Sequence, residues 1–554
     1  MLNFRYIKNM APAAALLLAL GMSSCTGDLD VTPINPNLSL EYDADGLFNK
    51  CYANIALQGN GGANGDCDID GLDGGTTGFV RQMWNSNELT TDEALCSWGD
   101  DGIQQFCYNT YDASHPMLNG YYARLTTGIS YCNQYLKVAG GEDATKTAEI
   151  RFIRAFEYYL LMDAFGNIPF ATSLTTPARM TRQEAYDWIE AELLDLEPAL
   201  SDAKAKKSTD ANYGRVDKAA AWMLLMRLYF NAEVYTGTAQ WAKAADYAKK
   251  VMDSDYRLNT TGQNGWSAYQ MLFMGDNGES NAAYEAVFPI LCDGLKTTSW
   301  GTSLFLIAST FDGSMHANPF DTNEAATNGT QETWGGNRAR KDLVLKFFPN
   351  GVPDEAKAVQ SYDMKVAAGD DRALFCSYEG KDDEGKVKPR SLDNEKGYAG
   401  DFADGYAVAK FINYKSTGPV VLGSDAQFPD ADYFMFRVAE AYLTYAEATA
   451  RQNGGNMTSE GINAINAIRS RANASHKSSF TMDEVLDEWA REFYFEGRRR
   501  VDLIRHGKFG GDNVNYNWSW KGGVKNGRNF PATKNIFAIP AAQVKGDIIQ
   551  NPGY

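Results

Sequence analysis

The stretch TAEIRFIRAFEYYLLMDAFG, residues 147–166, decides the fold class of this 554-residue chain. Its apolar side chains recur at three- and four-residue intervals, as at Ile150 and Ile153, and Gly166 and Pro169 stand at its end. Such spacing is that of one buried face of an α-helix, and glycine followed by proline commonly stops a helix. The stretch therefore predicts a long, core-facing helix that ends near Gly166.

Four further segments show helical periodicity and fall into two pairs with short connections. Residues 217–237 and 238–256 predict one helical hairpin, and residues 433–454 and 459–473 predict another. Helix pairs with small and aromatic residues at fixed offsets are typical of tetratricopeptide-type repeats. The predicted fold class is mostly α, with a tetratricopeptide-like helical scaffold.

A local pattern links two of these helices. Arg154 and Glu157 are followed by Tyr-Leu at the same offset as Arg437 and Glu440. The pattern favours divergent repeats. The alternative is that any amphipathic helix carries Ala, Tyr and Leu on its apolar stripe.

The amino-acid composition changes between the predicted helical segments. Residues 59–80, 294–337 and much of 376–428 are rich in Gly, Asn, Asp, Thr and Ser. Loops of this length inside a compact domain are uncommon unless they are functional or disordered. We therefore expect one continuous domain, residues 38–554, whose scaffold carries long aromatic-bearing loops.

The N-terminal segment has the features of a secretory signal. Arg5 and Lys8 precede an apolar run, and small residues then abut Cys25. The run is too short for a membrane-spanning helix and resembles a bacterial lipobox, in which Cys25 would receive the lipid. We expect a signal peptide over residues 1–24 and a lipidated tether over residues 25–37; the alternative is a thiol that happens to follow an ordinary signal.

Charge and cysteine content exclude several functional classes. The net charge of −18 argues against nucleic-acid binding and against docking on anionic lipid, because both attract basic surfaces. Seven cysteines remain besides Cys25, with no Cys-x-x-Cys pair, so zinc and thioredoxin-like sites are not indicated and no disulfide pairing is predicted.

The common catalytic signatures are missing from the sequence, and its four histidines have no metal-ligand spacing. Carboxylate pairs for glycoside hydrolysis remain open at Asp92–Glu93 and among Glu488, Glu492 and Glu496. The latter three stand at i,i+4 spacing near several arginines, which favours a solvated or ion-paired face. We expect no enzyme; the alternatives are a secreted glycoside hydrolase and an assembly protein that binds peptide through its repeats.

Three tryptophans are candidates for ligand contact. Trp98, Trp300 and Trp334 are each followed by glycine and lie among small polar residues without helical or strand periodicity. Exposed flat rings of this kind stack on the apolar face of a sugar. The alternative is that each ring folds back onto the core.

Acidic residues suggest two calcium sites. Residues 66–71, DCDIDG, match the opening of an EF-hand loop, but Thr77 stands where the bidentate glutamate belongs. A structural calcium held by Asp276, Asp430 and Asp432 is a further prediction, against the alternative of helix capping. No other cofactor is expected.

Three segments carry a resemblance to a known family. Residues 148–170, residues 489–509 and the lipobox followed by DLDVTP resemble the RagB/SusD family of Bacteroidetes outer-membrane lipoproteins. The resemblance covers essentially the whole mature chain. It implies a helical protein without catalytic activity, lipid-anchored on the outer face of the outer membrane. Such proteins bind glycans and deliver them to a TonB-dependent transporter of the SusC type.

Residues 70–81 and 85–93 are similar, more narrowly, to the starch-binding member of that family. This similarity implies starch, maltooligosaccharides and cyclodextrins as ligands, held by an arc of aromatic rings and by polar side chains. The residues that it assigns to glycan binding are Trp98, Trp300, Trp334, Arg81, Asp73 and Asp101.

Two positions depart from the starch-binding pattern. Cys96 stands where that member carries another tryptophan, so one stacking ring is lost. Asp101 stands where it carries an asparagine, and a carboxylate accepts hydrogen bonds but donates none. Both departures bear on the preferred ligand.

Overall fold

Helices are the main secondary structure in a computed structural model that describes residues 43–65, 67–320 and 327–554. The N-terminal half holds α1 (Ala44–Ala53), α2 (Gly74–Thr77), α3 (Phe79–Trp84), α4 (Ile103–Cys107), α5 (Pro116–Val138), α6 (Ala144–Phe165), α7 (Arg182–Leu196), α8 (Lys218–Phe230), α9 (Ala232–Thr236) and α10 (Trp241–Met252). The remainder holds α11 (Ser303–Ala308), α12 (Lys341–Phe347), α13 (Ser361–Ala368), α14 (Ala439–Gln452), α15 (Ser459–Arg471), α16 (Met482–Phe493) and α17 (Arg499–Arg505).

Short strands form antiparallel pairs between these helices. The pairs are β1 with β5, β2 with β3, β4 with β10, β6 with β9, and β7 with β8. Their bounds are β1 (Ala94–Cys96), β2 (Ile168–Phe170), β3 (Ala178–Met180), β4 (Ala286–Ile290), β5 (Asn337–Ala339), β6 (Phe375–Cys376), β7 (Tyr378–Lys381), β8 (Val387–Pro389), β9 (Ala407–Val408) and β10 (Tyr433–Arg437).

The helix read from residues 147–166 is α6, and it begins three residues earlier than the predicted segment. Asp143 caps it by accepting hydrogen bonds from the backbone N–H groups of Thr145 and Lys146, both at 2.9 Å. Gly166 ends it with a φ of 72°, which a residue with a Cβ adopts only under strain. The prediction of this helix is confirmed.

The predicted helical hairpins are also present. Helix α8 packs against α10, and α14 packs against α15. Contacts of α5 with α6, of α6 with α7, and of α10 with α14 join these pairs into one scaffold. The mostly helical class and its paired-helix scaffold are confirmed.

One predicted helix begins too early. Residues 433–437, predicted as helix, form strand β10, and α14 starts only at Ala439. All five strand residues are buried, and the aromatic side chains of the YFMFR run favour a strand that pairs with β4. Arg437 therefore ends a strand whereas Arg154 lies inside α6, so the shared pattern does not mark equivalent repeat positions.

A buried ion network is centred on Arg437. Its guanidinium donates to Glu492 at 2.6 Å and to Glu496 at 2.8 Å, and it lies 3.1 Å from a carboxylate oxygen of Glu285. The four side chains are almost completely excluded from solvent. The network joins β10, α16, and the segment that precedes β4.

More arginines complete this network from other parts of the chain. Arg471 binds Glu285 at 2.9 Å and also Glu492, and Arg372 binds Glu488 at 2.8 Å. Burial alone would raise the pKa of Glu492, but the adjacent arginines outweigh it and lower that pKa to about 2. The i,i+4 glutamates are therefore ion-paired as predicted, but inside the core rather than on a solvated face.

The other carboxylates considered for catalysis are also structural. Asp92 accepts from Arg499 at 2.7 Å and lies 3.3 Å from the Lys346 ammonium, with no exposed side-chain area. Glu93 accepts from the backbone N–H of Phe495, and burial raises its pKa to about 7. Both carboxylates are buried.

Residues 46–554 form one compact unit. The predicted domain start at residue 38, the signal peptide over 1–24, the tether over 25–37 and Cys25 lie outside the described residues. Among the described helices, none is both long and apolar enough to span a membrane.

Replacing Arg437 should expose how strongly the fold depends on the network. Arg437→Met leaves buried carboxylates without their main partner, and we expect the free energy of unfolding to fall by about 3–5 kcal/mol. Denaturant unfolding followed by circular dichroism measures this. Arg179→Met, at an exposed position of β3, is the matched control and should change it by no more than about 0.5 kcal/mol. Equal, small effects of both would contradict a central role for Arg437.

Candidate functional site

The β1–β5 pair brings two of the predicted tryptophans together. Cys96 pairs with Asn337 in its register, and the backbone N–H of Ser97 donates to Gly336 just beyond it. Because the two strands are antiparallel, Trp98, one residue after Ser97, and Trp334, two residues before Gly336, lie beyond the same end of the pair. Two segments separated by more than two hundred residues therefore present their indoles side by side.

The third tryptophan is placed by α11. Trp300 lies three residues before this short helix, and Ala308, the last residue of the helix, accepts the backbone N–H of Trp334 at 2.8 Å. Gly301 accepts from the backbone N–H of Arg81 at 3.1 Å, which fixes α3 beside the same loop. We call Trp98, Trp334 and Trp300 the tryptophan cluster.

The three rings of the cluster form a tilted series. The ring centroids of Trp98 and Trp334 are 6.2 Å apart with an interplanar angle of 57°, and those of Trp334 and Trp300 are 6.1 Å apart at 44°. Successive planes are thus inclined to each other. A surface built from such rings is not flat.

The rings are half-buried, which corrects the expectation of exposed rings. Trp300 and Trp334 pack against a small apolar base that includes Leu304, Ala308 and Phe428. The ring of Trp98 lies 6.2 Å from that of Phe305. Both interpretations of the sequence therefore hold in part, because each ring rests on the core and keeps part of its surface exposed.

The indole N–H groups of the cluster are all engaged by the protein. Trp334 donates to Glu332 at 2.8 Å, Trp300 to Asn64 at 3.3 Å, and Trp98 to the carbonyl oxygen of Trp334 at 3.3 Å. These bonds fix ring orientation. Only the apolar ring surfaces remain available to a ligand.

Glu332 had no role in the sequence analysis. Its second carboxylate oxygen accepts from Gln427 at 3.1 Å, so the acceptor that orients Trp334 is itself held in place. Its position two residues before Trp334 is the feature of the sequence from which this role could have been inferred. Gly336 is needed for a related reason, since a Cβ there would lie 2.2 Å from the Trp98 ring.

Arg81 lies on the Trp98 side of the cluster. Its guanidinium is 5.5 Å from the centroid of the Trp98 ring, and it donates to Asp100 at 2.9 Å. Asp100 is half-exposed and was not singled out from the sequence. The stacked, ion-paired arginine keeps donors beside an aromatic face, which suits contact with sugar hydroxyl groups.

The two predicted aspartates line a cleft of about 410 Å³ that also includes Arg81 and Asp100. Asp73 caps α2, because both of its oxygens accept hydrogen bonds from Thr76, and these bonds outweigh burial and lower its pKa. Asp101 is exposed at the rim. The structure thus brings the six residues assigned to glycan binding into one neighbourhood.

Cys96 lies below the tryptophan cluster. Its side chain lies within β1 and has no exposed area. Burial raises the pKa of this thiol to about 12, so it stays neutral. Cys96 contributes packing below the cluster and no surface to a ligand.

The predicted calcium ligands are not assembled. Asp276 accepts from the backbone N–H and hydroxyl of Ser416, and Asp432 accepts from Tyr213 at 2.7 Å. Asp430 accepts from the backbone N–H of Ser424 at 2.7 Å. Within the part of the chain that the structure describes, no group of three or more His, Cys, Asp or Glu side chains is placed to hold a metal ion.

This arrangement corrects the calcium prediction, because each carboxylate is directed at its own protein donors. In the EF-hand-like stretch, the Asp68 carboxylate is also directed at donors of the protein. Asp68 is engaged by Lys50 at 2.8 Å and by Arg124 at 2.7 Å, whereas Asp66 lies outside the described residues.

The whole chain is similar to known proteins. The starch-binding protein SusD of Bacteroides thetaiotaomicron is 38% identical, in an alignment that covers 99% of both chains. Among solved structures, surface glycan-binding protein A of Bacteroides uniformis has a TM-score of 0.63 at 20% identity, covering 92% of this chain and 98% of that one.

A further structure, surface glycan-binding protein A of Bacteroides thetaiotaomicron in complex with laminarihexaose, has a TM-score of 0.62 at 16% identity and covers 92% of this chain and 98% of that one. At these identities the structures show a common fold. The model of the SusD family matches residues 308–554, which include Trp334, β10 and, of the ion network, Arg437, Glu492 and Glu496 but not Glu285. Together with the 38% identity over the full length, this match means that the chain belongs to the SusD family.

Proposed function

We propose that this protein captures starch and related α1,4-linked glucans at the cell surface, without breaking a bond. The observation that carries the proposal is the tryptophan cluster, whose successive ring planes are inclined by 57° and 44°. An α1,4-linked glucan is a curved chain. A series of inclined rings can meet successive sugar faces of such a chain, whereas a straight chain would meet one ring.

Polar groups beside the cluster suit the hydroxyl groups of the sugar. Arg81 supplies donors, and the carboxylates of Asp100 and Asp101 supply acceptors at the edge of the neighbouring cleft. Asp73 is occupied by its capping role, so we assign it a weaker part in binding. The 38% identity, over 99% of both chains, with a protein named for starch binding supports the same ligand class.

The expected affinity is modest. Stacking contributes about 0.5–1.5 kcal/mol per ring by analogy with aromatic pairs. Three rings and a few solvent-exposed hydrogen bonds, less the cost of ordering the chain, correspond to a dissociation constant on the order of 0.1–1 mM. Weak binding suits a protein that must release its ligand to another protein.

The recipient in this proposal is a TonB-dependent transporter of the SusC type, and the membrane attachment is a lipid on Cys25. Membership of the SusD family supports both. The net charge of −18 leaves the lipid as the attachment to the membrane, because an anionic surface repels the protein.

Ligand curvature should decide affinity. We expect α-cyclodextrin to bind at least as tightly as maltohexaose, because a ring that is already bent avoids much of the ordering cost. Cellohexaose should give no measurable heat. Isothermal titration of the three sugars against one preparation checks this. Comparable binding of cellohexaose would contradict recognition of ligand curvature by the tryptophan cluster.

Trp334→Ala should weaken binding because the central ring of the cluster is lost. We expect the dissociation constant for amylopectin fragments to rise by about 2- to 12-fold. The ring also packs on Ala308, so a small loss of stability should accompany the change. Trp222→Ala is the matched control, since that indole is also half-buried and hydrogen-bonded, to Glu197. Equal weakening by both variants would refute a specific role for Trp334.

Cys25→Ala should release the protein from the outer membrane, because the lipid is the proposed anchor. Metabolic labelling with palmitate and fractionation of the cell envelope measure the effect. Cys292→Ala, at a cysteine within the folded domain, is the control and should keep both label and location. Label that persists in Cys25→Ala would show that another residue carries the lipid.

A further inference from the structure

Two buried cysteines meet between helices α1 and α5. Cys51 and Cys132 both have no exposed side-chain area, and burial together with the neighbouring Cys51 thiol raises the pKa of Cys132. Both carry free thiols in the structure. Their proximity follows from the way in which the two helices pack.

Contacts on either side of the two cysteines define an antiparallel register. Towards the end of α1, the amide of Asn54 exchanges hydrogen bonds with Arg124 of α5, at 3.1 Å with its guanidinium and 3.3 Å with its carbonyl oxygen. Towards the start of α1, the ring of Phe48 lies 5.8 Å from that of Tyr135. Positions therefore rise along α1 as they fall along α5, and the two cysteines occupy the facing turns between these contacts.

Gly128, one turn from Cys132, leaves room for side chains between α5 and the end of α1. A Cβ at Gly128 would lie 2.2 Å from the Asn54 amide nitrogen and 1.8 Å from Glu157. A disulfide requires Cα atoms within about 4.4–6.8 Å, so bulky side chains must not hold the two helices apart. Glycine at this turn removes one such side chain.

We propose that Cys51 and Cys132 are joined by a disulfide bond in the exported protein. The inference rests on export, which the Cys25 signal predicts, because disulfides persist in oxidising compartments. It is independent of glycan binding. A bond here would tie α1 to the long helix α5 of the scaffold.

The oxidant belongs to the class of disulfide-carrying thiol oxidoreductases. The thiolate of one cysteine attacks the carrier disulfide and forms a mixed disulfide; the second thiolate then attacks the cysteine sulfur and expels the carrier thiolate. One S–S bond forms in this protein and one breaks in the carrier, which gains two electrons and the two thiol protons. Burial raises the pKa of the Cys132 thiol, so the exchange takes place while the chain folds.

Cys96 lies beside Cys107, and the Cys107 thiol adds to the rise in the Cys96 pKa; the other described cysteines contact groups that are not thiols. Their partners are Thr77 for Cys67, Ser303 for Cys292, Gln360 for Cys376, and the backbone N–H of Cys96 for Cys107. A pairing that involves Cys67, Cys292 or Cys376 would need a different arrangement. The proposal therefore predicts one specific bond.

Peptide mapping tests the bond. The full chain is isolated from cells with its thiols blocked at lysis, denatured, alkylated without reduction and digested. We expect a linked peptide pair containing Cys51 and Cys132, and alkylation of the other five cysteines of the domain. Alkylation of all seven, or a linked pair with any other cysteine, would overturn the proposal.

Thermal unfolding with and without reductant gives a second measurement. The bond would close a loop of about 80 residues, so reduction should lower Tm by about 5 °C or more. The double variant Cys51→Ala/Cys132→Ala should lose this dependence on reductant, and Cys376→Ala should keep it. If the double variant does not fold, the peptide map of the unaltered protein still decides. A wild-type Tm that does not change when reductant is added would contradict the proposed bond.

Discussion

The buried network of arginines and carboxylates around Arg437 is the constraint on which the rest of the structure depends. A buried charge is tolerated only when it is paired, since an unpaired one costs several kcal/mol. Here Arg437 and Arg471 share Glu285 and Glu492, so the strand β10, the helices α15 and α16, and the segment before β4 must all be in place together. The network therefore couples the completion of the helical scaffold to the pairing of strands from distant parts of the chain.

A second group of buried arginines fixes the strands that carry the tryptophan cluster. Arg340 follows β5, and its guanidinium donates to the carbonyl oxygen of Ala94 in β1 at 3.0 Å and to that of Cys107 at 2.9 Å. Asp92, just before β1, is held by Arg499. The two strands that position Trp98 and Trp334 are thus each held by a buried arginine. A scaffold that fixes the ends of long loops can position functional residues on them.

The half-burial of the tryptophans has a consequence for binding. A fully exposed indole would lose side-chain entropy when a sugar stacks on it, whereas a ring that is packed and hydrogen-bonded has already lost it. The bonds from Trp334 to Glu332 and from Trp300 to Asn64 hold the rings in the inclined series before any ligand arrives. Recognition by a preformed curved surface discriminates by ligand shape more than by the strength of any one contact.

The sequence by itself determined what depends on near neighbours. The periodicity of residues 147–166, the Asp143 cap and the Gly166 stop are local, and the helix forms where they place it. The similarity to the starch-binding relative also indicated the site residues. Those residues are close in the fold because the register of β1 against β5 aligns the two chains. That register joins residues more than two hundred positions apart.

The tertiary structure decided what depends on such distant partners. Residues 433–437 have a helical neighbour on one side, yet they form a strand because β4 offers backbone partners and buries their aromatic side chains. Asp276 and Asp432 have the composition of a calcium site, yet Ser416 and Tyr213 occupy their oxygens. Glutamates at helical spacing predict a solvated or ion-paired face, yet arginines from three other segments pair with them inside the core. Hydrogen-bond partners and burial are properties of the folded chain, and local spacing does not encode them.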